Sequence, residues 1–313
     1  MCIRDRYVDD NVLAGPDKQE TKVQVDRILS KLSGRIIEPD VRRDGMMWDC
    51  LGAELVYNRE KKTMKLSMPD YIDKMVSRFD IKQVSATPLP HISDEDALLD
   101  QVNEKPGFPY RELIGSLQWA STICRPDITR TVNLLSRYLV YTPTQKRVFN
   151  ALKVLKYLQI TKHVGIEYSP SREAAFNTTY GHDGHGQKVA LGLFNLFTDA
   201  SFAAKVDNHY SVNGLLLYYG GTPVAWKSGR QTIRSESTCQ AEWIACAEGL
   251  KWVERMGFLE FFQKNYSPTN PIPDTLTLWT DSESVEACAL QKEPKPASRH
   301  FILREFKVRE FSD

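Results

Sequence analysis

Apolar positions along the chain change their period several times, and each change marks an element. "MMWDCLGAELVYNREKKTMKLSM" (46–68) has two runs of strand formers around "NREKKT", which predicts a hairpin. Pro69 and Asp70 then open a segment whose Ile72, Met75, Val76 and Phe79 recur at helical spacing, predicting a helix over 69–81. Three further helical patterns occupy 110–124, 125–140 and 144–161; Leu113, Leu117 and Ala120 share one face, and Val148, Leu152 and Leu155 another. Residues 85–109 are rich in proline and acid and read as a connection. Residues 169–188 are polar, contain several glycines and lack periodicity, so they read as an interdomain linker.

Past residue 189 the period becomes that of strands. "VALGLFNLFTDASF" is a strand ending in a carboxylate, and 209–231 is two strands joined at Gly220-Gly221. A long helix spans 237–262, with Ser237 and Gln240 placed for a capping box. "TLTLWTDSES" (275–284) is a second strand ending in acid, "SVEACAL" starts a helix, and 299–311 is helical again. At the amino end, "YVDDNVLAG" reads as strand, tight turn, strand.

Composition narrows the class without choosing a function. The 313 residues are 42% hydrophobic and 26% charged, with net charge +1, as in an ordinary globular chain of two or three domains. A nucleic-acid partner must therefore be held by a local patch rather than a global field. No apolar run has the length of a membrane span, and "MCIRDR" is no secretory signal. The cysteines (Cys2, Cys50, Cys124, Cys239, Cys246, Cys288) are scattered without zinc spacing and read as free thiols of a reducing compartment. His182 and His185 lack further ligands nearby and read as part of a solvated linker.

Three acids of the second half share an arrangement. Asp199 and Asp281 each end a strand, and Glu242 lies in the first turns of the intervening helix. Adjacent parallel strands would bring the two aspartates together, and a helix packed across them would aim Glu242 at the same point. Three clustered carboxylates need a counter-charge. Mg²⁺ supplies one, and two such ions roughly 3.5–4 Å apart clamp an in-line phosphoryl displacement. The chemistry this suggests is phosphodiester hydrolysis, with Mn²⁺ as a substitute metal. Singly, each acid also reads as a turn residue or helix cap.

"LFTDASFA", "WKSGRQTIRSESTCQAEWIA" and "LWTDSES" resemble the ribonuclease H region of copia-type LTR retrotransposon Pol polyproteins. "YVDD" resembles the catalytic turn of reverse transcriptase, and "VSATPLP" and "YRELIGSLQWASTICRPDI" resemble landmarks between the two activities, in the expected order. The resemblance implies an α/β chain in four parts: a reverse transcriptase palm remnant (7–84), a helical thumb or connection (85–168), a linker (169–189) and a ribonuclease H-like mixed sheet with flanking helices (190–313), truncated at both ends. It implies Asp199, Glu242 and Asp281 as catalytic metal ligands for Mg²⁺, and Asp9 and Asp10 as two polymerase ligands. The implied substrate is the RNA strand of an RNA–DNA hybrid, recognised by shape and 2′-hydroxyls. The implied partners are that hybrid and the rest of the polyprotein, with no membrane and no small-molecule cofactor, inside a cytoplasmic virus-like particle.

Lys227, Arg230 and Arg234 form a basic stretch that would contact phosphates, although charges blunting an edge strand account for it equally well. Ser201, Ser235, Ser237 and Ser282 stand near the acids as donors to sugar or phosphate, with caps and turns the plainer role for each. Trp226, Trp243 and Trp252 read as core rather than as base-stacking platforms.

The chain also departs from the family. "CIRDR" carries charges where an apolar strand precedes YVDD, so residues 1–6 are expected to be foreign to it. The further polymerase aspartate expected upstream is not in the sequence, which makes Asp9 and Asp10 an orphaned half-site without polymerase activity. The family's fourth ribonuclease H acid, expected after 299–311, is also missing; Glu305 and Glu310 are poor substitutes, and Ile302 stands where an acid is common. Little cleavage is therefore expected from this chain alone. The alternative is an inactive retroelement remnant that binds nucleic acid weakly at most.

Overall fold

The computed structural model describes residues 18–81, 107–137, 139–140, 142–182, 191–204, 209–257 and 276–289. Asp9 and Asp10 of the YVDD turn, residues 1–6, and the 299–311 helix with Glu305 and Glu310 lie outside the described residues.

Helix α1 (Lys18–Leu29) precedes an antiparallel sheet of β1 (Asp40–Arg42), β2 (Gly45–Cys50), β3 (Ala53–Asn58), β4 (Thr63–Ser67) and β5 (Ile166–Tyr168), in that order. The predicted hairpin is β3–β4, running from Glu54 opposite Ser67 to Asn58 opposite Thr63. Its first strand run differs from expectation, because it folds in two as β2 and β3. Leu51 and Gly52, both left-handed at φ 56° and 79°, make the tight turn between them.

Helices α2 (Pro69–Arg78), α3 (Tyr110–Ile123), α4 (Thr129–Ser136) and α5 (Gln145–Ile160) build one core with this sheet, centred on Ile72, Leu113, Leu117, Leu155, Leu158 and Ile166. The predicted helix over 125–140 is shorter than expected: a 3₁₀ turn, Pro126–Ile128, comes before α4. After α5 the chain returns as β5, setting Ile166 opposite Leu66 of β4. The described residues of 7–84 and 85–168, stretches read from sequence as separate parts, thus share a single hydrophobic interior.

The second sheet has the order β8 (Thr222–Arg230), β7 (Tyr210–Tyr219), β6 (Phe194–Ala204), β9 (Leu276–Trp279). Among the described strands of this sheet, β6 and β9 pair in parallel and the other pairs are antiparallel. Gly220 and Gly221, at φ 51° and 74°, supply the backbone that the β7–β8 turn needs. Helix α7 (Thr238–Met256) crosses one face and buries Trp243, Cys246, Leu250 and Val253 against Leu196 and Leu217. Helix α8 (Glu283–Ala289) follows β9.

The reading of 169–189 as linker needs correction over its first half, where Pro170–Tyr180 form α6. Ser169 caps it by accepting from Arg172 N. Phe176 is its one buried side chain, which is why no apolar period betrayed the helix. The helix is held by rings instead: Phe176 stacks on Tyr218 at 5.4 Å, and Tyr180 meets Trp279 edge-on at 5.4 Å.

The two sheets meet along β8. Trp226 packs on the first core and its Nε1 donates to Ser121 O at 2.8 Å, while Thr222 Oγ1 donates to Glu167 O at 3.0 Å. Cys124, Cys239 and Cys246 are free thiols. Among the described residues, no helix is long and apolar enough to cross a membrane.

Candidate metal centre

Parallel pairing of β6 with β9 sets Phe197 opposite Trp279, their rings stacked 5.6 Å apart at 8°. Asp199 and Asp281 each stand two residues beyond that pair, so one register brings both acids to the same sheet edge. Thr198 Oγ1 donates to Trp279 O at 3.3 Å, which locks the register next to the acids. Its oxygen also lies 3.1 Å from Cys246 Sγ on α7, tying the helix to the strand pair.

Glu242 comes from the start of α7. Ser237 Oγ caps that helix by accepting from Gln240 N at 3.1 Å, and Gln240 Oε1 accepts from Glu236 N at 2.6 Å. The capping box thus forms with its return bond shifted one residue from the expected Ser237 N–H. The helix lies close to the sheet because Gly249 carries no side chain; a Cβ there would lie 3.0 Å from Thr198 Cγ2 and 3.2 Å from Leu196 Cδ2. At this separation Ala200 N–H donates to Glu242 Oε1 at 3.1 Å.

The result is a cluster of carboxylate oxygens from Asp199, Glu242 and Asp281, all within 4.8 Å of one another. Asp199 and Asp281 are exposed, and Glu242 is half-buried. Burial pushes the Glu242 carboxyl up to about 7; the negative charges of Asp199 and Asp281 add to the rise, and the Ala200 N–H opposes it. Glu242 Oε2 is buried without a hydrogen-bond partner. A buried carboxylate oxygen lacking a donor is costly unless the group is protonated or a cation is at hand. An all-oxygen, anionic donor set fits a hard divalent ion such as Mg²⁺ or Mn²⁺.

The other residues singled out from sequence fall into two groups. Arg230 and Arg234 are exposed and converge on the Tyr210 ring, at 4.7 and 5.1 Å from its centroid. Lys227 does not join them. Three residues earlier on β8, it alternates to the other side of the pleat and borders a cavity of about 300 Å³ with Gln118, Thr122, Asn133 and Ser228. Ser201 is exposed two residues past Asp199 on the same strand face. Ser282 opens α8, its carbonyl accepting from Val285 N and Glu286 N. Ser235 is buried in a polar network, and Ser237 is the cap already described. Trp243 is fully buried, Trp252 packs on the same core and Trp226 on the other, in keeping with their reading as core. His182 is exposed.

Two contributors were missed. Gly249 left a signal, since a glycine inside a long helix is unfavourable unless packing requires it. Gln231, buried at the end of β8, left none, because a polar residue at a strand end reads as solvated.

The described residues form two sheets and eight α-helices of an α/β chain, and the second sheet carries a three-carboxylate cluster at the edge of a parallel strand pair. Its homologues are copia-type retrotransposon Pol polyproteins. It is 27% identical over 320 residues to the retrovirus-related Pol polyprotein from transposon TNT 1-94 of Nicotiana tabacum, covering 98% of this chain and 21% of the relative. It is 27% identical over 245 residues to the putative transposon Ty5-1 protein of Saccharomyces cerevisiae, covering 77% of this chain and 70% of that one. Against the Pol polyprotein from transposon RE2 of Arabidopsis thaliana, the identity is 27% over 252 residues, 79% of this chain and 15% of the relative. The chain thus spans about a fifth of the tobacco polyprotein's length. No family model and no solved structure matches it.

Proposed function

We propose that residues 190–313 form a ribonuclease H module of a retroelement Pol polyprotein, and that Asp199, Glu242 and Asp281 hold its divalent cations. The intact parent would hydrolyse the RNA strand of RNA–DNA hybrids. The observation that carries this reading is the convergence of Asp199, Glu242 and Asp281, one carboxylate oxygen from each lying within 4.8 Å of the others, together with a Glu242 Oε2 that is buried without a hydrogen-bond partner. Kinship with Pol polyproteins along nearly the whole chain supports it.

Mg²⁺ would supply the positive charge that lets three carboxylates stay ionised together and that stabilises the attacking and leaving oxygens of a phosphodiester hydrolysis. The chain's own residues do the positioning. The parallel register presents Asp199 and Asp281 side by side at an exposed edge, open to a nucleic-acid strand. Ala200 N–H holds Glu242 Oε1 and leaves Oε2 for the cation. Arg230 and Arg234, arranged on Tyr210, offer guanidinium groups to backbone phosphates. Such contacts suit a hybrid recognised by its shape rather than by its bases.

The test uses the parent polyprotein with an RNA–DNA hybrid labelled on each strand in turn, in Mg²⁺. The RNA strand is expected to be cut, DNA duplex to stay intact, and Asp199→Asn to abolish the cutting. An unchanged rate in Asp199→Asn would end the assignment.

A further inference from the structure

We infer that Gln231 is the positioning residue that sets Glu242 against Asp199 and Asp281. It does so through a buried chain of hydrogen bonds that touches none of the three acids directly. The inference rests on the metal-site reading above.

Gln231 is 1% exposed, although it lies just past the end of β8. Its backbone N–H donates to Ser211 O at 2.8 Å, which fixes the residue to β7. Its side-chain amide makes three hydrogen bonds. Nε2 donates to Ala241 O at 2.8 Å and to Asn213 Oδ1 at 2.6 Å, and Oε1 accepts from Ser235 Oγ at 2.8 Å. Ala241 immediately precedes Glu242, so one of these bonds grips the α7 backbone at the residue before the acid.

The donors and acceptors can be ordered in only one direction. Ala203 N–H donates to Ser211 Oγ at 3.2 Å. With that oxygen accepting, the Ser211 hydroxyl gives its proton to Ser235 Oγ, 2.9 Å away, because Ser235 has spent its own proton on Gln231 Oε1. Gln231 passes the sequence on to Asn213, whose Nδ2 donates to Glu248 Oε2 at 2.8 Å. The chain starts on β6, four residues past Asp199, where a bulge and a left-handed Ala203 (φ 44°) free an N–H from the ladder. It ends on α7. A reversed Gln231 amide would set its oxygen against two acceptors, so the orientation is unique.

Glu242 therefore has two ties to β6: its own bond to Ala200 N–H, and the relay from Ala203 through Gln231 to Ala241. Two ties on one strand fix both the height and the rotation of the first turns of α7. The Thr198–Cys246 contact and the packing of Trp243 and Leu250 fix the helix one turn and more further along, beyond the turn that carries Glu242.

The experiment titrates the full 313-residue chain with Mn²⁺ alone, following loss of the six-line spectrum of the free ion by electron paramagnetic resonance. Titrations are made at a temperature where circular dichroism shows every variant folded. Gln231→Met keeps the length and removes all three side-chain bonds; about a tenfold or greater loss of Mn²⁺ affinity is expected, the scale for partners that orient metal ligands. Ser235→Ala, a milder change, should weaken binding several-fold and stands in should Gln231→Met not fold. Leu158→Ala, in the other core, is the control for general loosening and should leave the affinity unchanged. Equal affinities in wild type, Gln231→Met and Ser235→Ala, alongside loss of binding in Glu242→Gln, would overturn this inference and leave the metal site standing. Equal weakening in Gln231→Met and Leu158→Ala would also overturn it. A wild-type chain that binds no Mn²⁺ would overturn the metal site, and this inference with it.

Discussion

Gly249 lies directly over Thr198, and a Cβ on the glycine would come within 3.0 Å of Thr198 Cγ2. The contact sets how near α7 lies to the sheet, one residue before Asp199. Leu196 Cδ2 and Leu215 Cδ2 would each lie 3.2 Å from the same Cβ, so an added side chain must push three neighbours aside. Gly249→Val should overpack this spot and cost about 1–3 kcal/mol of stability. It should also lift Glu242 away from the aspartates. Thermal melts and Mn²⁺ titration together check this, and an unchanged melt with unchanged affinity would show that the approach is not tight.

Three acids this close repel one another when no cation is present. Neutralising one should therefore stabilise the metal-free chain. Glu242→Gln and Asp199→Asn are each expected to melt a few degrees above wild type in EDTA. With divalent cation the order should reverse, because wild type alone gains binding energy, about 2.7 kcal/mol at a hundred times Kd. Melts with and without Mg²⁺ decide it; an ordering that ignores the metal counts against a cation site.

The raised Glu242 carboxyl gives this site a pH signature. Its folded value is about 7 against an ordinary 4.5, so between those values the folded chain holds a proton that the unfolded chain has released. By linkage, this group's contribution to metal-free stability falls as pH rises from about 4.5 to about 7 and is level outside that window. A cation must displace the proton, so Mn²⁺ affinity should climb over the upper part of the window and flatten above it. Glu242→Gln should remove this component of the melt's pH dependence between about 4.5 and about 7. A wild-type affinity independent of pH between 5.5 and 7.5 would contradict the account.

Much of this site was legible because its parts are local. An acid at a strand end, as at Asp199 and Asp281, is visible in ten residues, and the order strand, hairpin, helix, strand predicts their meeting. Helices α2, α3 and α5 were legible for the same reason: each repeats a buried side chain at helical spacing over several turns. Helix α6 was not, since it is fastened by Phe176 and the rings around it rather than by a stripe. The joining of 18–81 and 107–168 into one core was hidden too. It rests on α2 packing against α3 and α5 and on β5, three residues long, pairing with β4 about a hundred positions earlier in the chain. Gln231 was illegible for a third reason: only the tertiary fold turns a polar strand end into a buried hub.

The "RPD" stretch is a structural lock, and its loss can be separated from loss of the metal site. Arg125 is 1% exposed and bonds Asp127 through both Nε and Nη2, at 3.0 and 2.7 Å. It also donates to Thr161 O at 3.1 Å and lies 5.4 Å from the Tyr157 ring centroid, while Tyr157 OH donates to Asp127 Oδ2 at 2.8 Å. Burial acts to raise the Asp127 carboxyl, but Arg125 and Tyr157 outweigh it and hold the group below its ordinary 3.8. The stability this group lends is thus complete above about pH 4 and lost as pH falls through the lowered folded value. Asp127→Ala leaves the buried guanidinium without its counter-charge and should cost about 3–5 kcal/mol at neutral pH. Arg125→Met combined with Asp127→Ala should recover part of that loss, because no buried charge then remains unpaired. Mn²⁺ affinity should not move in either variant while the chain stays folded. Denaturant melts give the two costs; a double variant no more stable than Asp127→Ala would show that the charge is not what the pair compensates.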